Sequence, residues 1–193
     1  MSKKEIETFC PKSRAEWREW LEKNHQSKPS VWLIYFRVST KIPSLSWSEA
    51  VDEALCFGWI DSTKKTIDKE RYMQYFTRRK PSSTWSKVNK DKIDKLTENN
   101  RMTKAGFESI EMAKQNGTWS LMDDVENLIV PEDLKIALNE NENSMKFFQS
   151  QSKSIRKGML YWVVIAKRTE TRKKRIATIA ESVAKGMLPK QFR

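Results

Sequence analysis

The order of strand-like and helix-like segments along the chain is the feature that most restricts the fold. Strand patterns occupy residues 31–38, 59–67 and 72–79, with a short edge strand expected at 6–9. After Pro81 every apolar pattern has helical spacing. A parallel α/β sheet needs strands and helices to alternate along the whole chain, so that fold is excluded. We predict an α+β protein with a small antiparallel sheet and helices in the N-terminal half and an all-helical C-terminal half.

Local start and stop signals place the helices within this order. Ser13 with Glu16, and Ser46 with Glu49, have the spacing of capping boxes, and Pro131 suits the first turn of a helix. Two longer amphipathic helices close the chain. The residues expected on their apolar faces are Ile155, Met159, Trp162, Val163 and Ala166 in the first, and Ile176, Ile179, Ala180, Val183 and Met187 in the second.

Charge is distributed unevenly over the chain, whose net charge is +12. Residues 1–116 carry +7, residues 117–150 carry −5, and residues 151–193 carry +10. We therefore divide the chain into an α+β core at 1–116 and a helical region at 117–193 packed on it, with one continuous domain as the alternative. The basic C-terminal segment is interpreted first as a solvated helix surface; the other interpretation is a polyanion-binding face.

Cysteine usage and hydropathy bear on the compartment. Cys10 and Cys56 are the only cysteines and His25 the only histidine, too few for a standard four-ligand zinc site, so we expect neither a metal nor a cofactor. A disulfide framework is equally unexpected, which favours a reducing compartment. The N-terminus lacks the apolar core of a signal peptide, and the longest apolar run, 159–166, is far shorter than a membrane span. These features predict a cytoplasmic protein.

Three stretches carry a resemblance to a known family: CFGWIDSTKKTID at 56–68, YFTRRKPSSTWSKVN at 75–89 and AKRTETRKKR at 166–175. Together they resemble the bacteriocin-protection, YdeI or OmpD-associated proteins, and SRAEWREWLEKNH and VWLIYF extend the resemblance over nearly the whole chain. It implies a small bacterial, cytoplasmic protein linked to envelope stress or bacteriocin protection, and it brings no reaction with it. One departure is Thr77, where the family tends to have proline before its arginine pair.

The turn at residues 78–86 is the strongest candidate ligand site. Three cations end a strand, hydroxyl residues follow, and a helix begins, so N–H groups and guanidinium donors converge where an anion would bind. The alternative is structural: the serine at 86 caps the helix, and the arginines pair with Asp61 or Asp68. Including two positions discussed next, the predicted ligand-binding residues are Arg78, Arg79, Ser83, Trp85, Ser86, Asn89 and Arg172.

Two of these residues are chosen because helical spacing turns them inward. Asn89 falls on the face of Trp85 and Leu96, and Arg172 shares the apolar face of its helix with Ile176. Each could contact a ligand, but a backbone-satisfying amide and an arginine–carboxylate clamp are the favoured interpretations. Among the tryptophans, those at element ends, Trp47, Trp85 and Trp119, could line a cleft, but packing beneath loops is the favoured interpretation.

Asp61 and Cys56 are the candidate catalytic residues. The carboxylate of Asp61 follows an aromatic and aliphatic stretch, which suits a general base, and Cys56 offers a nucleophile. Neither has an evident partner, since His25 lies near a helix end. The alternatives are a buried cysteine and an ion-paired aspartate, and we lean against an enzyme.

The function expected from these features is a binding or regulatory module for a small anionic or phosphorylated ligand. Nucleic-acid binding by the basic C-terminal helices is the first alternative. An enzyme using Asp61 with the nearby arginines is the second. A protein–protein adaptor in envelope stress is suggested only by the family name.

Overall fold

A computed structural model describes residues 6–193. The chain forms two compact units. The N-terminal unit comprises residues 6–83 and 88–119, and the C-terminal unit comprises 84–87 and 120–193. The elements of the N-terminal unit are β1 Thr8–Phe9, α1 Arg14–Asn24, β2 Ser30–Phe36, α2 Trp47–Cys56, β3 Trp59–Thr66, β4 Arg71–Arg78, α3 Lys87–Glu98 and α4 Lys104–Gln115.

The sheet of the N-terminal unit has four strands in the order β1-β2-β4-β3. β3 and β4 form an antiparallel hairpin, β4 also pairs antiparallel with β2, and the two-residue β1 runs parallel to β2 at the edge. A bulge interrupts the β3–β4 register between Asp61 and Lys64. A bulge bends its strand and changes the direction of the side chains beside it.

Aromatic side chains fill the core beneath this sheet. Trp17 of α1 is completely buried, stacks on Trp20 with ring centroids 5.2 Å apart, and meets the edge of Phe76 on β4. β2 alternates buried and half-buried residues, which is the pattern of a strand with one face on the core. α4 crosses the end of α2 so closely that Thr103, which caps α4, donates its N–H and hydroxyl to the carbonyl of Cys56.

The C-terminal unit consists of helices around their own apolar core. They are α5 Asp123–Glu126, α6 Glu132–Asn139, α7 Glu142–Ser150, α8 Lys153–Val164 and α9 Thr169–Ala184. Leu134, Leu138, Phe148, Met159 and Ile179 are all but completely buried in the shared core. The predicted α+β class, with sheet and helices first and helices alone afterwards, is confirmed.

In the C-terminal half, one local prediction is wrong and one helix was not predicted. Met187 was expected on the apolar face of the last helix, but α9 ends at Ala184, and Met187 lies beyond Gly186 with nearly half of its surface exposed. The glycine adopts a left-handed φ of 64°, which ends helices readily. α7 was not predicted from the sequence.

Candidate functional site

A buried carboxylate held by three arginines is the strongest polar cluster of the N-terminal unit. Glu53 of α2 has no exposed surface. Its Oε1 accepts hydrogen bonds from Arg14 Nε at 2.5 Å and from Arg101 Nη2 at 2.6 Å, and its Oε2 accepts one from Arg18 Nη1 at 2.7 Å. Arg14 and Arg18 are four residues apart on α1, so they extend from one face of that helix.

The arginines keep Glu53 ionised in spite of its burial. Burial alone would raise the pKa of the carboxyl group, but the hydrogen bonds from Arg14, Arg18 and Arg101 outweigh it and hold the pKa below its ordinary value. One carboxylate cannot balance three guanidinium charges. Arg18 has a second acidic partner in Glu22 at 3.2 Å, and Arg14 also feels the charges of Asp52 and Glu49.

Arg14 and Arg101 both have donors left over. Within residues 6–193, Arg14 uses only its Nε and Arg101 only its Nη2 for side-chain hydrogen bonds. The Nε of Arg101 is buried without a partner in the same part of the chain. A buried guanidinium donor without an acceptor is costly, and it marks a place where a further acceptor would be stabilising.

Arg14 and Arg101 both line a groove of about 870 Å³, whose other lining residues come mainly from α2 and α3. Its charged lining consists of the cations Arg14, Lys92, Lys95 and Arg101 and the carboxylates Asp52 and Asp91. Lys92 is already bound to Asp52 at 2.5 Å and to the hydroxyl of Ser48 at 2.8 Å. Within residues 6–193, the exposed Lys95 ammonium makes no hydrogen bond or ion pair. Cations therefore outnumber carboxylates at the groove, even with Glu53 counted.

Asp61, one of the predicted catalytic residues, lies on β3 beside the bulge. Its Oδ2 accepts hydrogen bonds from the indole Nε1 of Trp47 at 2.9 Å and from Gln74 Nε2 at 2.8 Å. Together with Lys64 and Tyr72, these residues line a cleft of about 350 Å³. Trp47 thus lines a cleft, which was the less favoured of its two interpretations.

Cys56, the other predicted catalytic residue, is a buried thiol at the end of α2. Burial raises its pKa to about 11, and the charge of Glu53 adds to the effect. A thiol with such a pKa stays protonated at neutral pH, and the thiolate is the nucleophilic form. These properties do not suit a nucleophile.

The predicted anion-binding turn follows β4. Arg78 is exposed at the strand end, whereas Arg79 is half-buried and donates its backbone N–H to the Gly58 carbonyl. Burial lowers the pKa of Arg79 to about 10, against the opposite effect of Asp61. Asn116 and Thr118 both hydrogen-bond to the carbonyl of the proline at 81, at 2.8 and 3.3 Å, which ties the turn to the end of α4.

The remaining predicted ligand-binding residues are distributed over both units. Ser83 and Asn89 are half-buried in the N-terminal unit. In the C-terminal unit, Trp85 is 1% exposed and Ser86 is half-buried. Arg172, also in that unit, binds Asp133 through two hydrogen bonds and reaches the Val163 carbonyl at 3.4 Å. The arginine–carboxylate clamp favoured for Arg172 is confirmed.

The Glu53 cluster and its groove were missed by the sequence analysis. The sequence contains part of the pattern of this cluster. α2 has an acidic residue immediately before Ala54 and Leu55 of its apolar face, and α1 has two arginines four positions apart. Arg101, in contrast, is 48 residues from Glu53 along the chain. No local pattern connects those two residues.

The described part of the chain holds neither a cluster of metal ligands nor a membrane-spanning helix. Within residues 6–193, no three His, Cys, Asp or Glu side chains converge as metal ligands. Nor does that part of the chain contain a helix with both the length and the apolar character needed to cross a bilayer.

The fold and the groove define an α+β protein whose first unit combines a small sheet with helices. Residues 9–109, more than half of the chain, match the family described as a domain of unknown function (DUF8412), and the chain belongs to that family. Residues 127–186 match the family described as bacteriocin-protection, YdeI or OmpD-associated. No curated protein and no solved structure is significantly similar to the chain.

The match to the bacteriocin-protection family covers fewer residues than the resemblance inferred from the sequence. The stretch at 166–175 lies inside the matched residues 127–186, so the resemblance is confirmed for the C-terminal helices. The stretches at 56–68 and 75–89 lie outside that match, and both fall within residues 9–109. The match to the bacteriocin-protection family is therefore partial, and not spread over nearly the whole chain.

Proposed function

We propose that the protein is a cytoplasmic binding module for a small anionic or phosphorylated ligand, held in the groove beside α2 and α3. The observation that carries the proposal is the shared carboxylate: three arginines contact Glu53, and two of them keep unused donors at the groove. Both cysteines are free thiols, which agrees with a reducing compartment.

The geometry of the donors favours phosphate or carboxylate groups. A guanidinium presents paired N–H donors that match two oxygens of such a group, and Glu53 already fixes Arg14 and Arg101 in place. Binding an anion therefore requires little ordering of these side chains. Lys95 adds an exposed cation to the lining of the groove.

The size and polarity of the groove are consistent with a small ligand. Its volume of about 870 Å³ is within the range of small-molecule sites. Its walls carry six charged side chains, which favours a polar metabolite over an apolar one.

Three cations of the C-terminal helices have partners within their own unit. Arg172 holds Asp133, Lys157 holds Glu126 at 2.6 Å, and Arg175 donates to the Trp162 carbonyl while lying over its ring. Nucleic-acid binding by this segment stays an alternative prediction. A DNA oligonucleotide tests it, with steep weakening by salt as its signature.

Titration with pyrophosphate at low ionic strength tests the proposal, with binding measured by calorimetry. We expect a Kd below about 1 mM, and we expect Lys95→Glu to raise it at least about tenfold. Lys23→Glu is the matched control: Lys23 is exposed on α1, away from the groove, and the change in charge is the same. It should alter the Kd less than about threefold.

Arg78→Glu distinguishes the groove from the turn at residues 78–86. If Arg78→Glu weakens pyrophosphate binding and Lys95→Glu acts no more strongly than Lys23→Glu, the anion site is the turn and the groove proposal is wrong. Absence of pyrophosphate binding to the unmodified protein would overturn both sites.

The match at residues 127–186 adds a physiological proposal, since that family is described by bacteriocin protection. A host strain lacking the protein should be more sensitive to a bacteriocin, and the unmodified gene should restore resistance. If resistance depends on the groove, the Lys95→Glu variant restores it less well than Lys23→Glu does. Unchanged sensitivity of the deletion strain would contradict this proposal.

A further inference from the structure

The cleft beside Asp61 is a second site, separate in its lining from the anion groove. Five side chains line its volume of about 350 Å³: Trp47, Asp61, Lys64, Tyr72 and Gln74. None of them lines the groove. We propose that this cleft binds a neutral cyclic polyhydroxyl compound, a monosaccharide or a cyclitol, with one face of its ring stacked on Trp47.

Trp47 provides a fixed apolar platform. It is the first residue of α2, and 47% of its surface is exposed. An exposed indole would ordinarily sample several orientations, but its Nε1 donates to Asp61 Oδ2 at 2.9 Å. That bond holds the ring edge against the cleft and leaves a flat apolar surface for a ligand.

Asp61 and Gln74 provide acceptors for hydroxyl groups. The hydrogen bonds from Trp47 and Gln74 both go to Oδ2 of Asp61. Within residues 6–193, Oδ1 of Asp61 accepts no hydrogen bond. Gln74 is 5% exposed. Its Nε2 donates two hydrogen bonds, one to Asp61 and one to the Ser62 carbonyl at 2.9 Å. These bonds orient the Gln74 carbonyl oxygen and leave it without a donor in the described chain.

Lys64 provides the complementary donor. Its ammonium lies 4.2 Å from the centre of the Tyr72 ring and makes no hydrogen bond with the described residues. The cation and the Asp61 carboxylate balance each other, so the lining is neutral overall. A neutral ligand that both donates and accepts hydrogen bonds fits this lining better than an anion does.

A buried tyrosine next to the cleft, Tyr35, gives further support for a site here. Tyr35 is 1% exposed, its hydroxyl has no hydrogen-bond partner among residues 6–193, and its ring stacks on Tyr72 at 4.9 Å with the planes 8° apart. The β-bulge lies between Asp61 and Lys64, two residues that line the cleft. Unpaired buried polar atoms and bulges are both concentrated at functional sites.

The proposal is tested by saturation-transfer NMR with glucose, galactose, mannose and myo-inositol as probes, each at concentrations up to about 50 mM. At least one probe should bind, with transfer strongest to the ring C–H protons that face the indole. Trp47→Ala should weaken that binding at least about tenfold, and Asp61→Asn should weaken it as well. Phe107→Ala, at a residue with 45% exposure outside the cleft, is the control and should leave it within about twofold.

The outcomes separate this site from the anion groove. Asp61→Asn should leave pyrophosphate binding unchanged, and Lys95→Glu should leave the sugar or cyclitol bound as before. Binding of none of the four probes, or equal losses from Trp47→Ala and Phe107→Ala, would overturn the proposal. Binding of the zwitterion glycine betaine without any of the four would assign the cleft to a different ligand class and also overturn it.

Discussion

Arg172 holds the carboxylate of Asp133 as a fork, with Nε 2.6 Å from Oδ2 and Nη2 2.9 Å from Oδ1. The pair connects α9 to the start of α6, and Arg172 lowers the pKa of Asp133. Its side chains are 29% and 47% exposed, so water screens the attraction. The clamp accounts for an arginine on an apolar helix face without any ligand.

A double-mutant cycle measures the strength of this clamp. Arg172→Ala, Asp133→Ala and the double variant should give a coupling energy of about 0.5–1 kcal/mol, since the pair is bidentate but partly exposed. Urea unfolding of the four proteins provides the values. Lys135 and Glu132, which are 3.7 Å apart and well exposed on α6, form the control pair, whose coupling should be close to zero. Loss of pyrophosphate binding in Arg172→Ala would show instead that Arg172 contacts the ligand.

Glu53→Gln tests the buried cluster. The amide keeps the shape of the side chain but removes the negative charge, and its NH₂ group faces guanidinium donors. Because Arg14, Arg18 and Arg101 stay between 23% and 40% exposed, we expect a loss of about 3 kcal/mol in the free energy of unfolding, at the low end for a broken buried pair.

Glu22→Gln is the matched control for the change at Glu53. It removes a carboxylate that also contacts Arg18, but one that is 54% exposed. The loss should be below about 0.5 kcal/mol. Equal losses from Glu53→Gln and Glu22→Gln would contradict the structural role of the cluster.

The lowered pKa of Glu53 predicts how stability changes with pH. The group binds a proton more readily in the unfolded chain, where its pKa is near 4.5, than in the folded protein. Its contribution to stability is therefore fully present above about pH 4.5 and is lost as the pH falls through the lower folded pKa. Urea unfolding of the unmodified protein and of Glu53→Gln, followed from about pH 7 to pH 3, should give curves that converge at the acid end. A constant difference would contradict the lowered pKa.

Much of the fold was predictable because its signals are local. Ser46 and Glu49 form the complete reciprocal capping box, and the predicted hairpin of β3 and β4 is present. The Ser13 hydroxyl caps α1 as expected, but the Glu16 carboxylate binds the backbone N–H of Lys12 and not that of Ser13. α7 was missed because it is nine residues long and follows α6 after only two residues, so its pattern merges with that of its neighbour.

The candidate sites were far less predictable, because their members come from separate parts of the chain. The pairing of Glu53 with Arg101 spans 48 residues and depends on how α4 is placed against α2. Asp61 was singled out for the apolar residues around it, but its contact to Trp47 depends on the packing of α2 against the sheet, and its contact to Gln74 on the bulged β3–β4 register. The turn at 78–86 drew attention because its charges are adjacent in sequence, which is the only kind of cluster that a sequence displays directly.

The two cysteines should differ in reactivity. Cys10 is exposed and Cys56 is buried, and burial raises the pKa of Cys56 to about 11. An aromatic disulfide reagent at about pH 8 should label one thiol quickly in the native protein and the second only after denaturation. Cys10→Ser should remove the fast phase. Two equally fast phases in the native protein would contradict the burial of Cys56.

Gly106→Ala separates helix propensity from packing. Alanine is favoured over glycine inside a helix by up to about 1 kcal/mol, so propensity alone predicts stabilisation. A Cβ atom at Gly106, however, would lie 2.4 Å from the backbone oxygen of Cys56, where Thr103 also binds. α4 would have to move away from α2, so we expect a loss of about 2 kcal/mol. The control Lys104→Ala, at a side chain 91% exposed on the same helix, should change stability by less than about 0.5 kcal/mol. A stabilised Gly106→Ala variant would show that the two helices are not in such close contact.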